Sequence, residues 1–265
     1  MKPLAALPPA ELDGVHALLA DIDDTISTDG RITAAAYGAL ERLQSAGFLV
    51  VPVTGRPAGW CDLIARTWPV DAVVGENGAF FMRYDRVRRR LVTRRQAGVT
   101  ADPAQQARLR AIGDRILREV PGCAWASDQG YRLADIAIDF CEDVSPLPQE
   151  AVDRIVALMR KEGLTAKVSS IHVNGWFGEY DKLGMTRTLF AEAFGIDLDP
   201  RRAEVIFIGD SPNDAPMFGF FPLSVGVSNV RNYAGRLEHA PKYVTMGASG
   251  EGFVELAERL IRRGG

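Results

Sequence analysis

Five short apolar runs along the chain each end in a polar or glycine-containing turn. They are Ala17–Ala20 before Asp21, Phe48–Val53 before Thr54, Ala72–Val74 before Gly75, Val205–Ile208 before Gly209-Asp210, and Leu223–Val227 before Ser228. Runs of this kind suit strands buried on both faces, as in a parallel sheet. Helical spacing appears between them: Ala36, Leu40 and Leu43 share a face, as do Leu183, Phe190 and Phe194, and Phe253, Leu256, Leu260 and Ile261. This alternation predicts an α/β fold, a parallel sheet layered by helices. Ligands bind such sheets in the crevice outside the carboxyl ends of the strands, and Asp21, Thr54 and Asp210 all fall at such ends.

The pattern changes in the middle of the chain. Leu109, Ile112 and Ile116, then Val152, Ile155, Val156 and Met159, mark two helices. Alternating segments lie among them: Ala134, Ile136, Ile138 and Phe140, then Ile171 and Val173. Alternation predicts a half-exposed, antiparallel sheet with helices on one face. The division expected is a catalytic core made of 1–82 and 178–265, interrupted by an inserted α+β domain over 83–177.

Composition narrows the picture by exclusion. A formal net charge of −3 gives no reason to expect nucleic acid or an anionic membrane as partner. Cys61, Cys123 and Cys141 have no CxxC spacing, which argues against a disulfide framework or a zinc site and fits a reducing cytoplasm. The first residues are interrupted by Pro3, Pro8 and Pro9 and lack the sustained apolar segment of a signal peptide. No apolar run approaches the ~20 residues of a membrane span. The expectation is a soluble, cytoplasmic protein whose partner is a small molecule, with its oligomeric state open.

The chemistry concentrates in four places. Asp21 and Asp23 sit at the lip of a buried strand, where carboxylates are expensive unless a cation or a catalytic task requires them. A carboxylate can attack phosphorus and form an aspartyl-phosphate. A second one, two residues on, can protonate the leaving oxygen and then take a proton from water. For such a pair standing alone, an acidic turn or helix cap is the favoured account. Thr54-Gly55-Arg56 follows the second strand, where a hydroxyl and bare backbone can hold phosphate oxygens. Gly209-Asp210-Ser211-Pro212-Asn213-Asp214 places two carboxylates four residues apart, a set suited to Mg²⁺. Ser211, Pro212 and Asp214 also fit an N-cap, which leaves Asp210 without a structural task. Lys182 opens the helix that returns the chain to the parallel sheet, and its ammonium is suited to neutralising Asp21 and a transferring phosphoryl group.

Together these residues resemble the haloacid dehalogenase (HAD) superfamily. Asp21-Ile22-Asp23-Asp24-Thr25 is similar to its first motif, Thr54 to its second, Asp181-Lys182 to its third and Gly209–Asp214 to its fourth. The insertion, Val74–Ala79 and Val225–Asn229 resemble the large α/β-cap branch of sugar phosphatases, Cof-like hydrolases and phosphomannomutases. The resemblance implies a Rossmann-like core with an α+β cap, and a Mg²⁺-dependent phosphatase acting on a small phosphorylated metabolite such as a sugar phosphate. It implies Asp21 as nucleophile and Asp23 as general acid/base. Asp21, the Asp23 carbonyl and Asp210 would hold Mg²⁺ with support from Asp214, while Thr54, Gly55, Arg56, Lys182 and Asn213 would hold the phosphoryl group. A phosphomutase using the same intermediate, or a non-catalytic binding protein, would share most of these features.

In the inserted segment, Ser170, His172, Asn174 and Trp176 share one strand face and Ile171 and Val173 the other. His172 and Asn174 are candidates for sugar hydroxyls, and an exposed sheet face of no special purpose fits the pattern as well. Asp135 and Asp139 are read as structural. Seven arginines between Arg83 and Arg95 are read as a solvated hairpin.

Overall fold

The computed structural model describes residues 1–99 and 102–262. Its centre is a six-stranded sheet in the order Lys2–Pro3, Tyr243–Val244, Leu223–Gly226, Val205–Gly209, Ala17–Ala20 and Leu49–Pro52. Every neighbouring pair is parallel. Leu18, Ala20, Val50, Ile206 and Ile208 enter one hydrophobic cluster, while Ala17, Leu19, Val51, Val205 and Phe207 enter another. Alternate residues of the same strands thus point into opposite cores, which is why these runs carry no polar position. Helices Ala34–Ser45, Ala58–Thr67 and Ser249–Arg262 cover the first face, and Lys182–Leu189 and Ala215–Phe220 the second.

The third apolar run behaves differently from the other four. Val73–Gly75 touches the parallel sheet through a single bridge, Val53 to Val74, and then pairs antiparallel with Phe80–Asp85. Phe80–Asp85 and Arg90–Arg95 form a hairpin. The boundary expected between 82 and 83 falls inside that hydrogen-bonded strand. Phe80, Phe81 and Met82 are buried in the two core clusters and Leu91 packs beside them, so the hairpin sits with the parallel sheet. Its seven arginines are all exposed. Arg88 pairs with Asp85 at 3.0 Å and Arg94 with Glu192 at 3.0 Å, as a solvated hairpin would.

The remaining insertion forms a four-stranded antiparallel sheet, Thr165–Val168, His172–Trp176, Asp135–Asp139 and Ala124–Trp125, backed by helices Pro103–Glu119 and Gln149–Lys161. Leu109, Ile112, Ile116, Ile136, Ile138, Val152, Ile155, Met159 and Val173 make its own hydrophobic cluster. The sheet is not half-exposed as the alternation suggested: every residue of Asp135–Asp139 and His172–Trp176 is buried. The cause is the second layer. The polar face lies over the core, where Arg132 donates to the Gly55 carbonyl at 2.9 Å and the Leu133 and Ala134 N–H groups donate to Glu76. A polar alternation can therefore mark a face buried against another polar surface as readily as one facing water.

No helix among the described residues is long and apolar enough to cross a membrane. The separate cluster of the insertion generates a stability prediction. Ile155, fully buried at its centre, should cost roughly 2–5 kcal/mol when replaced by Ala, through lost transfer energy and a residual cavity. Urea unfolding of Ile155→Ala measures this, and a loss under about 1 kcal/mol would mean the cluster is not close-packed.

Candidate active site

The sheet delivers three carboxylates to one point. Asp21 continues its strand by donating its N–H to the Ile208 carbonyl at 2.9 Å, so its side chain leaves the sheet beside the end of the neighbouring strand. That neighbour continues into Asp210. Ser211 and Asp214 then form a capping box at the start of a helical turn beginning with Pro212. The cap and the acidic site are the same structure: Asp214 Oδ2 accepts from the Asp210 and Ser211 N–H groups at 3.0 and 3.3 Å, leaving its Oδ1 turned elsewhere. Gly209 makes this possible, because a Cβ there would lie 2.4 Å from Asp214 Oδ2. Oxygens of Asp21, Asp210 and Asp214 lie within 4.8 Å of one another, and all three residues are buried.

Lys182 answers two of them. Asp181 caps its helix by accepting from the Gly184 N–H at 2.7 Å, fixing Lys182 at the first position. The ammonium then donates to Asp21 Oδ1 at 2.9 Å and Asp214 Oδ1 at 2.8 Å. Burial works against the charge on Lys182, yet these two carboxylates outweigh it and hold the ammonium protonated. Asp21 and Asp210 are pushed upward, first by burial and then by neighbouring carboxylates, with Lys182 opposing. With all three carboxylates ionised, the single ammonium leaves two negative charges uncompensated. Asp210 Oδ1 accepts from the Thr25 hydroxyl at 3.2 Å, but its buried Oδ2 has no partner among the described residues. An orphaned carboxylate oxygen and a surplus of two negative charges fit a hard divalent cation.

Asp23 leaves the cluster in another direction. Its carboxylate takes the Arg56 guanidinium at 2.8–3.0 Å. Arg56, expected to hold phosphate, is buried and committed to carboxylates: besides Asp23 it reaches Asp128 at 3.2 Å and Glu142 at 2.5 Å. Both of those come from the inserted segment. A cleft of about 490 Å³ opens at this point, lined by Asp23, Asp24, Arg56, Cys141, Glu142 and Ser170. Thr54 is buried, and its hydroxyl oxygen accepts from the Arg56 N–H at 3.0 Å, which leaves the hydroxyl proton for another acceptor. Asn213 accepts from the Ser211 hydroxyl at 2.8 Å and donates to Asn77 Oδ1 at 3.4 Å.

The residues expected to meet a sugar are buried within the protein. His172 Nε2 lies 2.8 Å from Glu142. Asn174 donates to Asp135 at 3.0 Å, and Asp135 is paired with Arg132 at 3.0 Å. Trp176 is fully buried and stacks on Tyr180 at 5.3 Å. Asp139 accepts from three successive N–H groups, those of Cys141, Glu142 and Asp143, a structural task as expected. Asp24 holds a left-handed turn at φ 53°.

Several contributors went unread in the sequence. Thr25 closes the first motif but had no task assigned, and Glu142 belongs to no spacing pattern. Glu76 and Asn77 read equally as bordering the site or as a plain loop; Glu76 is wholly buried and accepts from Ala58, Leu133 and Ala134, tying the core to the insertion. Burial, then Asp135, pushes its carboxyl up to about 7.

Known proteins give this geometry a context. Residues 18–97 match a family model described as haloacid dehalogenase-like hydrolase. No curated protein matches the chain in sequence. Among solved structures, the C-terminal domain of trehalose-6-phosphate phosphatase from C. albicans superposes with a TM-score of 0.70 at 13% identity, covering 99% of this chain and 98% of that one. A protein of Thermoplasma acidophilum gives 0.65 at 18% identity over 93% and 98%. The sucrose-phosphatase of Synechocystis, solved with sucrose and phosphate, gives 0.60 at 15% identity over 92% and 97%. The chain therefore has the haloacid dehalogenase-like hydrolase fold, inserted domain included. The matched segment contains Asp21, Asp23 and Thr54 but ends before Lys182 and Asp210.

The Arg56 network makes a pH prediction. Burial raises the Glu142 carboxyl, but His172 and Arg56 overcome it and hold the group down at about 2, from an ordinary 4.5. A depressed carboxyl contributes stability above its unfolded value and loses it as pH falls toward the folded one. The melting-temperature gap between wild type and Glu142→Gln should be open above pH 4.5 and close as pH falls toward 2. A gap independent of pH over that window would remove the ion pair from the account.

Proposed function

We propose that this chain, built on the haloacid dehalogenase-like fold, is a Mg²⁺-dependent phosphatase that hydrolyses a small phosphorylated metabolite, a sugar phosphate being the favoured class. The observation that carries the reading is the buried Asp21–Asp210–Asp214 cluster bridged by Lys182 at the carboxyl edge of the sheet. Likeness to the trehalose-6-phosphate and sucrose phosphatases supports the substrate class.

Asp21 is the nucleophile: its carboxylate oxygen bonds to phosphorus as the ester oxygen departs, giving an aspartyl-phosphate. Asp23 gives the departing oxygen its proton and then takes one from the water that cleaves the acyl phosphate. Lys182 touches Asp21 and is placed to balance charge that moves from that carboxylate toward the phosphoryl oxygens. Thr54 has a hydroxyl proton to donate to one of those oxygens. Asp21, Asp210 and the Asp23 carbonyl would hold Mg²⁺, which supplies charge neutralisation and orientation to a reaction governed by positioning. Asp214 is less suited to direct ligation, since Lys182 and two N–H groups occupy both its oxygens, and serves as support. Residues from 103 to 177 act as the cap that encloses the substrate, in a cytoplasmic setting.

Two outcomes test this reading. Asp21→Asn should abolish Mg²⁺-dependent release of phosphate from an aryl phosphate, by at least about a thousandfold, as expected for loss of a covalent nucleophile. Circular dichroism should show the fold retained, and an active Asp21→Asn protein would sink the nucleophile assignment. Assayed against a panel of phosphorylated metabolites, the wild type should release inorganic phosphate and lose that activity with EDTA. A phosphorylated isomer as product, with no phosphate released, would make the protein a mutase instead.

A further inference from the structure

The turn Glu76-Asn77-Gly78 lies where the core's motif loops meet, and its backbone is unusual. Glu76 and Asn77 have φ of 43° and 52°, and Gly78 has 103°. Two consecutive side-chain-bearing residues in the left-handed region are costly, a strain that persists only where surrounding structure enforces it. The enforcement is visible. Gly78 packs so closely on the Asp181–Lys182 backbone that a Cβ would sit 2.0 Å from the Asp181 carbonyl oxygen. The Asn77 N–H donates to the Thr54 carbonyl at 3.1 Å, and Asn77 Oδ1 accepts from Asn213. One turn therefore contacts the loops that carry Thr54, Lys182 and Asn213.

The Asn77 amide itself has an unfinished hydrogen-bond account. Asn is common at left-handed positions, so backbone conformation alone explains its presence. It does not explain the orientation of the side chain. Ser211 donates to Asn213 Oδ1, which leaves Asn213 Nδ2 to donate to Asn77 Oδ1. That chain fixes Asn77 with its Nδ2 as the free end, and Nδ2 is buried without an acceptor among the described residues. Asn77 is 2% exposed. A buried donor with no acceptor is destabilising, so its retention calls for a partner that arrives with a ligand. Gly55 keeps the donor uncovered: its φ is not in the left-handed region, yet a Cβ there would lie 3.1 Å from Asn77 Nδ2.

We infer that Asn77 is a phosphoryl-binding residue, donating from Nδ2 to an oxygen of the phosphate group held between Thr54, Lys182 and Asn213. The inference rests on the phosphatase reading for the identity of the anion. Glu76, next in sequence, accepts from Leu133 and Ala134 of the inserted segment. The same turn that presents the donor is thus braced from above, so a phosphate on Asn77 and the insertion seated on Glu76 favour one backbone conformation.

Binding of inorganic phosphate to the full chain, measured by calorimetry with Mg²⁺ present, tests it. Asn77→Gly keeps the left-handed turn at lower strain but removes the Oδ1 that accepts from Asn213 together with the donor. Its phosphate Kd should rise at least about tenfold, the loss of one hydrogen bond to a charged acceptor, in a variant that circular dichroism shows to be folded. Asn77→Asp, similar in size and tolerant of the turn, should bind phosphate more weakly still because it opposes a carboxylate to the anion, and it decides the matter if the glycine variant folds poorly. Unchanged phosphate affinity in either folded variant overturns the assignment, as does a wild type that binds no phosphate. A wild type that binds phosphate but leaves phosphate esters intact would overturn the phosphatase reading and leave the Asn77 assignment standing.

Discussion

The contact on which the rest depends is the Lys182 ammonium held between Asp21 and Asp214. Burying ions costs several kcal/mol each even after relaxation, and Coulomb attraction repays that only with good geometry and further hydrogen bonds. The surrounding structure supplies both. The sheet brings Asp21 and Asp210 side by side, Gly209 lets Asp214 fold back over its own loop, and Asp181 fixes where the lysine's helix begins. Even so the charges do not balance, and Asp210 keeps an oxygen with no partner among the described residues. A stable fold has little reason to retain that imbalance. A site that receives a cation and an anion together does.

A second polar layer lies above this one and does different work. Arg56 joins Asp23 of the core to Asp128 and Glu142 of the insertion, while Arg132 of the insertion reaches Gly55 and Asp135. Each side has its own hydrophobic cluster, and Leu133 and Ala134 of the insertion pack against the core's. Ion pairs and hydrogen bonds between two such surfaces can exchange for water at modest net cost. An apolar seam of the same area would resist opening far more strongly. The chemistry of the seam therefore suits an insertion that can part from the core and seat again.

The sequence was most readable where one physical rule dominated. Val205–Ile208 is apolar at every position because both sheet faces are covered, so strand, burial and the strand-end position of Asp210 followed together. The Ser211-Pro212-Asp214 cap was equally plain, since capping needs only neighbours. Residues whose role comes from distant partners were harder. Nothing adjacent to Glu142 announces Arg56, which is 86 positions away, and Asn77 looks like any loop asparagine until Asn213 fixes its amide. The alternation at His172 and Asn174 identified a shared face correctly, but the interpretation of that face required the second layer. Period-2 patterning reports that two faces differ, and it is silent on whether the polar one meets water or protein.

That silence bears on where selectivity resides. The groups nearest the acidic cluster are fixed by charge and backbone geometry that any phosphate ester would satisfy. The insertion's polar face, by contrast, is turned to other protein groups: His172 lies against Glu142, Asn174 bonds Asp135, and Trp176 stacks on Tyr180. On the phosphatase reading, a substrate's alcohol portion would displace some of these or settle in the cleft beside Asp23, where Asp24, Cys141, Glu142 and Ser170 form the walls. Displacing a buried Asn–Asp pair leaves both groups needing new partners, which a hydroxyl-rich molecule can provide and an apolar one cannot.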